Sequence, residues 1–390
     1  MKILVISMAG IGDTLLATPL MSELRANFPT AQIDALVLWA GSKDLLQGNP
    51  HLNSVFQKNL LKESTASALG FLLPLRRAAY DVSINTHPQS RRHYRITARF
   101  IGARTRVSHV YDSCSILDSF LVTATLPQSY ERHTVENNLE LLSLLEAKTL
   151  CANHELEVFL SSADRDWAES FLASHKLSRN RCLGFHVGSG GTKNLMLKRW
   201  PLSRYIELIG RLRQAAPDLS ILLFGGPDEE PELRQVLAAH PSPLVVRVNS
   251  QTLRQAAALM QRCSAFVSVD TALMHLAAAV KTQRQIVLEA PTFNKTNEPY
   301  GNQFTLVRNP AVAGRNLDYY RYDGRGIRGT REELIRCMES ISVDSVQEAI
   351  EAALNVTDRL EWLNAEKAVP GGNPKPENRN PKEIRSPKSE

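Results

Sequence analysis

The sequence predicts an α/β protein built from two doubly wound parallel sheets that face each other across a cleft. Short apolar runs of strand length alternate with longer amphipathic stretches, the pattern of parallel strands covered on both faces by crossover helices. The alternation breaks at a polar stretch around residues 150–180 and then restarts. A length of 390 residues suits two domains at roughly 100–200 residues each.

In the first half, Ile3–Ser7 reads as a buried strand and Leu15–Phe28 as a helix kinked near its start by Pro19. Gln32–Leu38 is the next strand, Leu69–Ala79 a helix and Asp81–Thr86 another strand. His133–Ala147 reads as a helix with Val135, Leu139, Leu142 and Leu145 near one face. Ser161–Trp167 opens a helix, and Ser178–Arg181 is a polar link. The second half then runs strand Cys182–Val187, glycine loop, helix Leu202–Ala215, strand Ser220–Phe224, glycine turn and helix Glu230–Ala239. A strand-helix unit over Ala265–Ala279 and strand Gln285–Leu288 complete it. The expected domains are therefore residues 1–165 and 180–345, followed by a terminal helix over 344–364 and a tail over 365–390. Val369–Glu390 is rich in Pro, Asn, Lys and Glu and is expected to be disordered.

Hydrophobic residues make up 43% and charged residues 22% of the chain, a soluble globular composition with a mild positive balance of +6. Cys114, Cys151, Cys182, Cys263 and Cys337 are scattered without metal-ligand spacing, as free thiols of a reducing compartment are. The N-terminus is interrupted too early by Gly10 and Gly12 to be a signal peptide. No run approaches the ~18 apolar residues of a spanning helix. A cytoplasmic protein is expected, able to touch a membrane surface.

Four strand-to-helix turns carry candidate chemistry. At Ser268-Val269-Asp270-Thr271 the apolar run breaks and a helix begins, so Asp-Thr reads as a helix start. Free backbone N–H groups and the positive dipole end there suit a phosphate. Thr271 and His275 stand one turn apart on one face; an ordinary capped helix with a satisfied histidine fits the same residues. The first turn, Gly10-Ile11-Gly12-Asp13-Thr14-Leu15, begins like a dinucleotide fingerprint, but Leu15 replaces the third glycine and Asp13 would repel a pyrophosphate. Asp13 reads either as a helix cap or as a carboxylate on a glycine hinge that accepts a proton from an acceptor hydroxyl.

In the third turn, Gly188-Ser189-Gly190-Gly191 precedes Lys198-Arg199-Trp200-Pro201. Small residues admit a ligand to the backbone and Lys198 could neutralise a phosphate, although the spacing departs from a P-loop. In the fourth, Gly225-Gly226-Pro227-Asp228-Glu229 offers an acid either to ribose hydroxyls or to the helix dipole. A polar loop over Ala290–Gly301 borders the same region. Asp164-Arg165-Asp166 reads as helix capping rather than a metal site, and no other metal cluster is visible.

Between Asp81 and Asp112 there is no acidic residue, while Arg91, Arg92, Arg95, Arg99, Arg104 and Arg106 all occur. Arg91, Arg95 and Arg99 are expected on one helical face, suiting an anionic acceptor or an acidic membrane surface. No aromatic interleaving supports nucleic acid.

Together these motifs resemble glycosyltransferase family 9, the heptosyltransferases of lipopolysaccharide core assembly, from Met1 to about Leu354. Lys2-Ile3-Leu4-Val5 with Gly12-Asp13-Thr14 is similar to the family's opening motif, and Lys198-Arg199-Trp200-Pro201 to its Lys-x-Trp-Pro motif. Asp270-Thr271-Ala272-x-x-His275 is similar to Asp-Ser/Thr-Gly-x-x-His, and Ala290-Pro291-Thr292 through Pro299-Tyr300-Gly301 to Gly-Pro-Thr…Pro-Tyr-Gly. The resemblance implies a GT-B fold, two Rossmann-like domains, and an inverting transfer without metal or other cofactor. It implies a nucleotide-sugar donor, commonly ADP-heptose, and an anionic glycolipid acceptor. Asp13 would be the base. Ser189, Gly190, Lys198, Glu229, Asp270, Thr271, Ala272 and His275 would hold the donor, and Gly12, Thr14, Arg91 and Arg95 the acceptor. Ala272 and Ala290 stand where the family has glycine. A nucleotide-sugar epimerase of the same architecture, or a non-catalytic relative, shares these features.

Overall fold

The computed structural model describes residues 1–111, 114–177, 181–189, 195–291, 293, 295–312 and 331–354. The strands of the first half are β1 (Lys2–Ser7), β2 (Gln32–Val37), β3 (Ser54–Gln57), β4 (Val82–Asn85), β5 (Thr105–Val110) and β6 (Ala124–Pro127). They form one parallel sheet in the order β3-β2-β1-β4-β5-β6. Those of the second half are β7 (Cys182–His186), β8 (Ser220–Phe224), β9 (Val245–Arg247), β10 (Ala265–Ser268), β11 (Gln285–Leu288) and β12 (Phe304–Val307). Their sheet is also parallel and runs β12-β11-β10-β7-β8-β9. The two doubly wound sheets read from the sequence are both present.

The helices are α1 (Ile11–Leu15), α2 (Thr18–Asn27), α3 (Ala40–Leu45), α4 (Thr65–Arg77), α5 (Arg92–Ile101), α6 (Ile116–Ser119) and α7 (Thr134–Glu140) in the first half. The second has α8 (Ser162–Ser174), α9 (Leu202–Ala215), α10 (Glu230–Ala239), α11 (Leu253–Met260), α12 (Ala272–Ala279) and α13 (Arg331–Glu339). A further helix, α14, covers 343–354.

Alternation along β1 divides the first core between two helical layers, as the period of two requires. Ile3 and Val5 join Leu20 of α2 and Val135 of α7, whereas Leu4 and Ile6 join Leu72 of α4 and Ala98 of α5. In the second sheet, Leu183 and Phe185 pack with α9, and Phe266 and Phe224 with α11.

Three expectations are corrected. The single helix over Leu15–Phe28 is broken into α1 and α2, because Pro19 sits in the first turn of α2, where its missing N–H removes no hydrogen bond. The Thr18 hydroxyl donates to the Leu15 carbonyl at 2.7 Å and secures the break. The helix over His133–Ala147 becomes α7 followed by a tighter 3-10 turn at Leu141–Leu145. The terminal helix starts at 343 and is described to 354; residues 355–364 and the expected tail lie outside the described residues. The short strands β3, β6, β9 and β12 were not anticipated, since their few residues carry little periodic signal, nor was the six-residue β5, whose polar members break the apolar run.

The two sheets share part of a core. Leu15 and Leu45 of the first half pack with Leu276 and Ala277 of α12, and Ala278 reaches the first half's own core. Around this seam, Arg254 at the start of α11 pairs with Asp44 at 3.1 Å and Asp164 at 3.2 Å. The segment leaving the first half is fastened by Glu23 of α2. Its fully buried carboxylate accepts from the Leu150 and Cys151 N–H groups at 2.8 and 2.9 Å and meets His154 Nε2 at 2.9 Å.

Burial alone would raise the Glu23 pKa, but the Leu150, Cys151 and His154 hydrogen bonds outweigh it and hold the group below its ordinary 4.5. A depressed carboxylate contributes stability that is complete above the unfolded pKa and is lost as pH falls through the folded one. Replacing Glu23 by Gln turns an acceptor into a partial donor against two backbone N–H groups. Denaturant unfolding at neutral pH is expected to show a loss of about 2 kcal/mol, and the gap to wild type should narrow below pH 4.5. A variant as stable as wild type at neutral pH would refute the anchoring role.

Candidate active site

In both sheets the chain reverses its direction of winding between neighbouring strands, β1 and β4 in the first and β7 and β10 in the second. Crevices outside the carboxyl ends of such strand pairs are where open α/β sheets bind ligands. The turns singled out in the sequence leave these ends.

On the second sheet, β10 ends at Ser268, and Thr271 is the N-cap of α12 in extended conformation, with no side chain closing the helix end. The Thr271 hydroxyl lies 3.2 Å from His186 Nδ1 at the end of β7 instead. The first turn of α12 therefore keeps its dipole end free of a side-chain cap. Lys198 is drawn to the same place: its Nζ sits 3.1 Å from both Asp270 carboxylate oxygens and 3.3 Å from the Asp270 carbonyl. Behind Lys198, Trp200 is buried with its indole N–H donating to the Ile341 carbonyl at 3.0 Å, which explains the tryptophan of that motif as an anchor. Arg199 turns away to Glu229 and Glu232 and donates to the Ser189 hydroxyl at 3.3 Å. The Glu229 carboxylate is buried and also accepts from the Gly226 N–H at 2.8 Å. A Cβ at Gly188 would overlap the Glu229 side chain, so this glycine is required by close approach.

On the first sheet, Gly10 is the N-cap of α1 and Asp13 stands at the third position of the helix. The half-buried Asp13 carboxylate accepts from the Gly10 N–H at 2.6 Å. Beneath this turn lies the loop after β4. The Gln89 side-chain oxygen accepts from the Met8 N–H at 3.3 Å, and the Tyr111 hydroxyl accepts from the Gln89 N–H at 2.9 Å. That hydroxyl also lies 3.1 Å from His87 Nδ1. Burial raises the Tyr111 pKa, and the negative charge of Asp13 adds to it, which places the two within electrostatic reach.

The two turns touch. A Cβ added at Gly12 would lie 2.8 Å from His275 Cδ2 and 3.3 Å from Ala272 Cα. His275 is buried and its Nδ1 has no protein partner. Burial pushes its pKa down to about 4, Asp270 opposing and His133 and Lys198 reinforcing the shift. His133 caps α7, its Nδ1 accepting from the Val135 N–H at 3.2 Å, so Nε2 carries the proton donated to the Glu298 carbonyl at 3.0 Å. With the Thr134 N–H donating to the Thr296 carbonyl at 2.8 Å, the loop of the expected Pro-Tyr-Gly motif is tied to the first half.

The structure brings together Gly12, Asp13, Lys198, Asp270, Thr271, Ala272 and His275. Gly190 lies outside the described residues. Two expected acceptor contacts are corrected. Thr14 is fully buried and its hydroxyl is engaged with Ser42 at 2.9 Å and the Gly10 carbonyl at 3.2 Å. Arg95 is also buried: it donates to the Ser90 carbonyl at 3.1 Å, meets Asp118 at 3.5 Å and lies over the Tyr111 ring. Arg91 and Arg99 are exposed, so the three arginines do not share a face. The sequence reading left His87, Gln89, Tyr111 and His133 unassigned; the only signal for them was their place just after a strand or before a helix.

The sequence model for glycosyltransferase family 9 (heptosyltransferase) matches residues 71–320. A lipopolysaccharide heptosyltransferase 3 of Escherichia coli is 27% identical over 290 residues, covering 70% of this chain and 78% of that protein. The fold superposes with a TM-score of 0.70 on a glycosyl transferase family 9 structure from Veillonella parvula, 21% identical, covering 90% of this chain and 97% of that one. With the E. coli ADP-heptose LPS heptosyltransferase II the TM-score is 0.69 at 22% identity, covering 92% and 100%.

Two outcomes follow from this geometry. Gly12→Ala improves helix propensity by about 1 kcal/mol yet pushes a methyl into His275. A net loss of about 1–2 kcal/mol is expected by denaturant unfolding, and Gly12→Ala combined with His275→Ala should recover at least about 0.5 kcal/mol beyond additivity; strict additivity would disprove the contact. Second, burial holds His87 and His133 below their ordinary 6.5, and His109 and His275 near 4. Between those values the unfolded chain binds more protons, so stability must fall as pH drops below 6.5. The slope should reach up to about 1.4 kcal/mol per pH unit for each group. Unfolding measured from pH 8 to 5 checks this, and a flat profile below 6.5 would contradict it.

Proposed function

The chain belongs to glycosyltransferase family 9, and from that premise we propose that it transfers a heptose from ADP-heptose to the core saccharide of a lipopolysaccharide acceptor, inverting the anomeric carbon. The enzyme is a glycosyltransferase of GT-B fold. The observation that carries the finer reading is the contact of the Gly12–Asp13 turn with the first turn of α12. It brings the turn that carries Asp13 against the uncapped start of α12, beside which Lys198 pairs with Asp270, so that a carboxylate and a phosphate-binding end can serve opposite sides of one sugar.

In the proposed step the acceptor oxygen attacks the anomeric carbon while its proton passes to the Asp13 carboxylate. The bond between that carbon and the diphosphate oxygen breaks, and ADP leaves with the electron pair. Negative charge grows on the diphosphate, where the α12 N-terminus and Lys198 stabilise it. Thr271 and neutral His275 add hydrogen bonds, and Ser189, held by Arg199, serves the same donor. Glu229 reaches the ribose only by sharing the carboxylate now held by the Gly226 N–H and Arg199. Exposed Arg91, at the start of α5, remains the arginine for an anionic acceptor.

Donor-dependent transfer to a lipopolysaccharide core acceptor tests the reading. Asp13→Asn is expected to lower kcat by roughly 10²–10⁴ with donor binding retained; full turnover in that variant would remove Asp13 from the mechanism. Lys198→Ala should cost donor affinity by about 1.5–3 kcal/mol and slow turnover as well. In a thermal-shift comparison of ADP-, UDP-, GDP- and dTDP-sugars, the ADP compound at 100 times its Kd should stabilise the fold by about 2.7 kcal/mol. No shift with ADP compounds would count against heptose transfer.

A further inference from the structure

The helix α6 is inverted. Asp118 at its centre is buried, while Ile116, Leu117 and Phe120 are 78%, 59% and 71% exposed. Specific bonds fix this orientation. The Asp118 carboxylate accepts from the Ser115 N–H at 2.9 Å and pairs with Arg92 and Arg95 at 3.5 Å, and Arg92 also donates to the Ser115 hydroxyl at 2.9 Å. The acid is held inside, and three large apolar side chains are therefore held in solvent.

The neighbouring helices continue the surface. Arg92, Ile96 and Arg99 of α5 are all exposed at spacings of four and three, which makes them one stripe beginning where α5 touches α6. On α4, which covers the same sheet face, Leu69 and Leu73 are 40% and 38% exposed and Arg76 and Arg77 are exposed beside them. The acids nearby are engaged: Asp118 as above, Asp81 with Lys2 and Arg104, and Glu63 with Lys58 and Ser67. No helix among the described residues is long and apolar enough to cross a membrane.

We propose that α6, with the exposed faces of α4 and α5, docks on a bilayer containing anionic phospholipid, Ile116, Leu117 and Phe120 entering the boundary between headgroups and acyl chains. Apolar side chains ringed by arginine and, among the described residues, free of unpaired acid are complementary to that surface, in which buried apolar area and charge attraction add. The patch also lies at the right edge. It follows the carboxyl end of β5, where the Tyr111 hydroxyl accepts from the Gln89 N–H and the Gln89 side chain accepts from the Met8 N–H at the start of the Gly12–Asp13 turn. A bilayer seated there lies beside the mouth of the cleft. Only this last consequence, delivery of a lipid-borne acceptor, rests on the function proposed above.

The test uses the full chain and vesicles with neither donor nor acceptor, so its outcome is independent of transfer. Wild type should co-sediment with phosphatidylcholine–phosphatidylglycerol vesicles, more weakly with phosphatidylcholine alone, and less as salt shortens the Debye length. The triple variant I116S/L117S/F120S should bind at least roughly tenfold more weakly, and R99E should lose the preference for anionic vesicles. Phe120→Trp, which keeps the patch, should show indole fluorescence quenched by brominated lipid. Equal sedimentation of wild type and the triple variant, or no quenching in Phe120→Trp beyond that of wild type, overturns the proposal. So does a wild type that ignores vesicles but is dimeric while the triple variant is monomeric, since the patch is then a protein interface. Activity on a delipidated soluble acceptor should be unchanged in the triple variant.

Discussion

Everything in the site depends on one contact without a side chain on one side of it. Gly12 brings the first turn of one sheet against His275 and Ala272 on the other, closer than any Cβ allows. The approach is set from below by the shared core, in which Leu15 and Leu45 pack with Leu276 and Ala277. Small residues at 277 and 278 let α12 lie against the first half. Alanine at 272 is accommodated by the backbone conformation there. The position opens a right-handed helix and is not among the residues with positive φ, so a side chain there brings no backbone strain.

Charge at this contact is balanced before any ligand arrives. Lys198 is neutralised by Asp270 and Arg199 is engaged by Glu229 and Glu232. The histidines around the cleft, His87, His109, His133, His186 and His275, are all shifted toward the neutral form by burial. A diphosphate entering here meets hydrogen-bond donors more than net positive charge, apart from the helix end and the lysine it must share with Asp270. That arrangement favours a ligand placed by direction over one drawn in by field, because neutral donors fall off with angle far more steeply than charges do with distance.

Much of this was legible in the sequence for a definite physical reason. Strands buried on both faces must be apolar runs, and the turns that leave their carboxyl ends must carry the chemistry. Asp13, Lys198, Thr271 and His275 were therefore visible as members of turns. Their pairings were not: nothing local couples Lys198 to Asp270 or Gly12 to His275, since each bond spans the distance between elements. Residues whose role is to hold others, such as Gln89, Tyr111 and Asn138, whose amide oxygen accepts the His87 N–H, have no periodic signature at all. At Pro19 a kink was expected and a break is found, because proline at a first helical turn starts a helix rather than bending one.

The arginine-rich stretch shows where charge patterning stops being informative. The absence of acid between Asp81 and Asp112 is a fact of composition, but helical phase decides which arginines meet solvent. Packing of Ala98 and Ile101 on the sheet fixes that phase, carrying Arg95 inward over Tyr111 and leaving Arg92 and Arg99 outside. Buried Arg95 then needs an acid, and Asp118 supplies one. Satisfying that pair turns α6 over, so that Ile-Leu-Asp-Ser-Phe, which alternation would bury by its apolar members, is buried by its acid instead. The exposed apolar trio is thus a consequence of placing a guanidinium over the Tyr111 ring. One buried ion pair supports the floor of the cleft and at the same time furnishes its rim with the surface that a bilayer would hold.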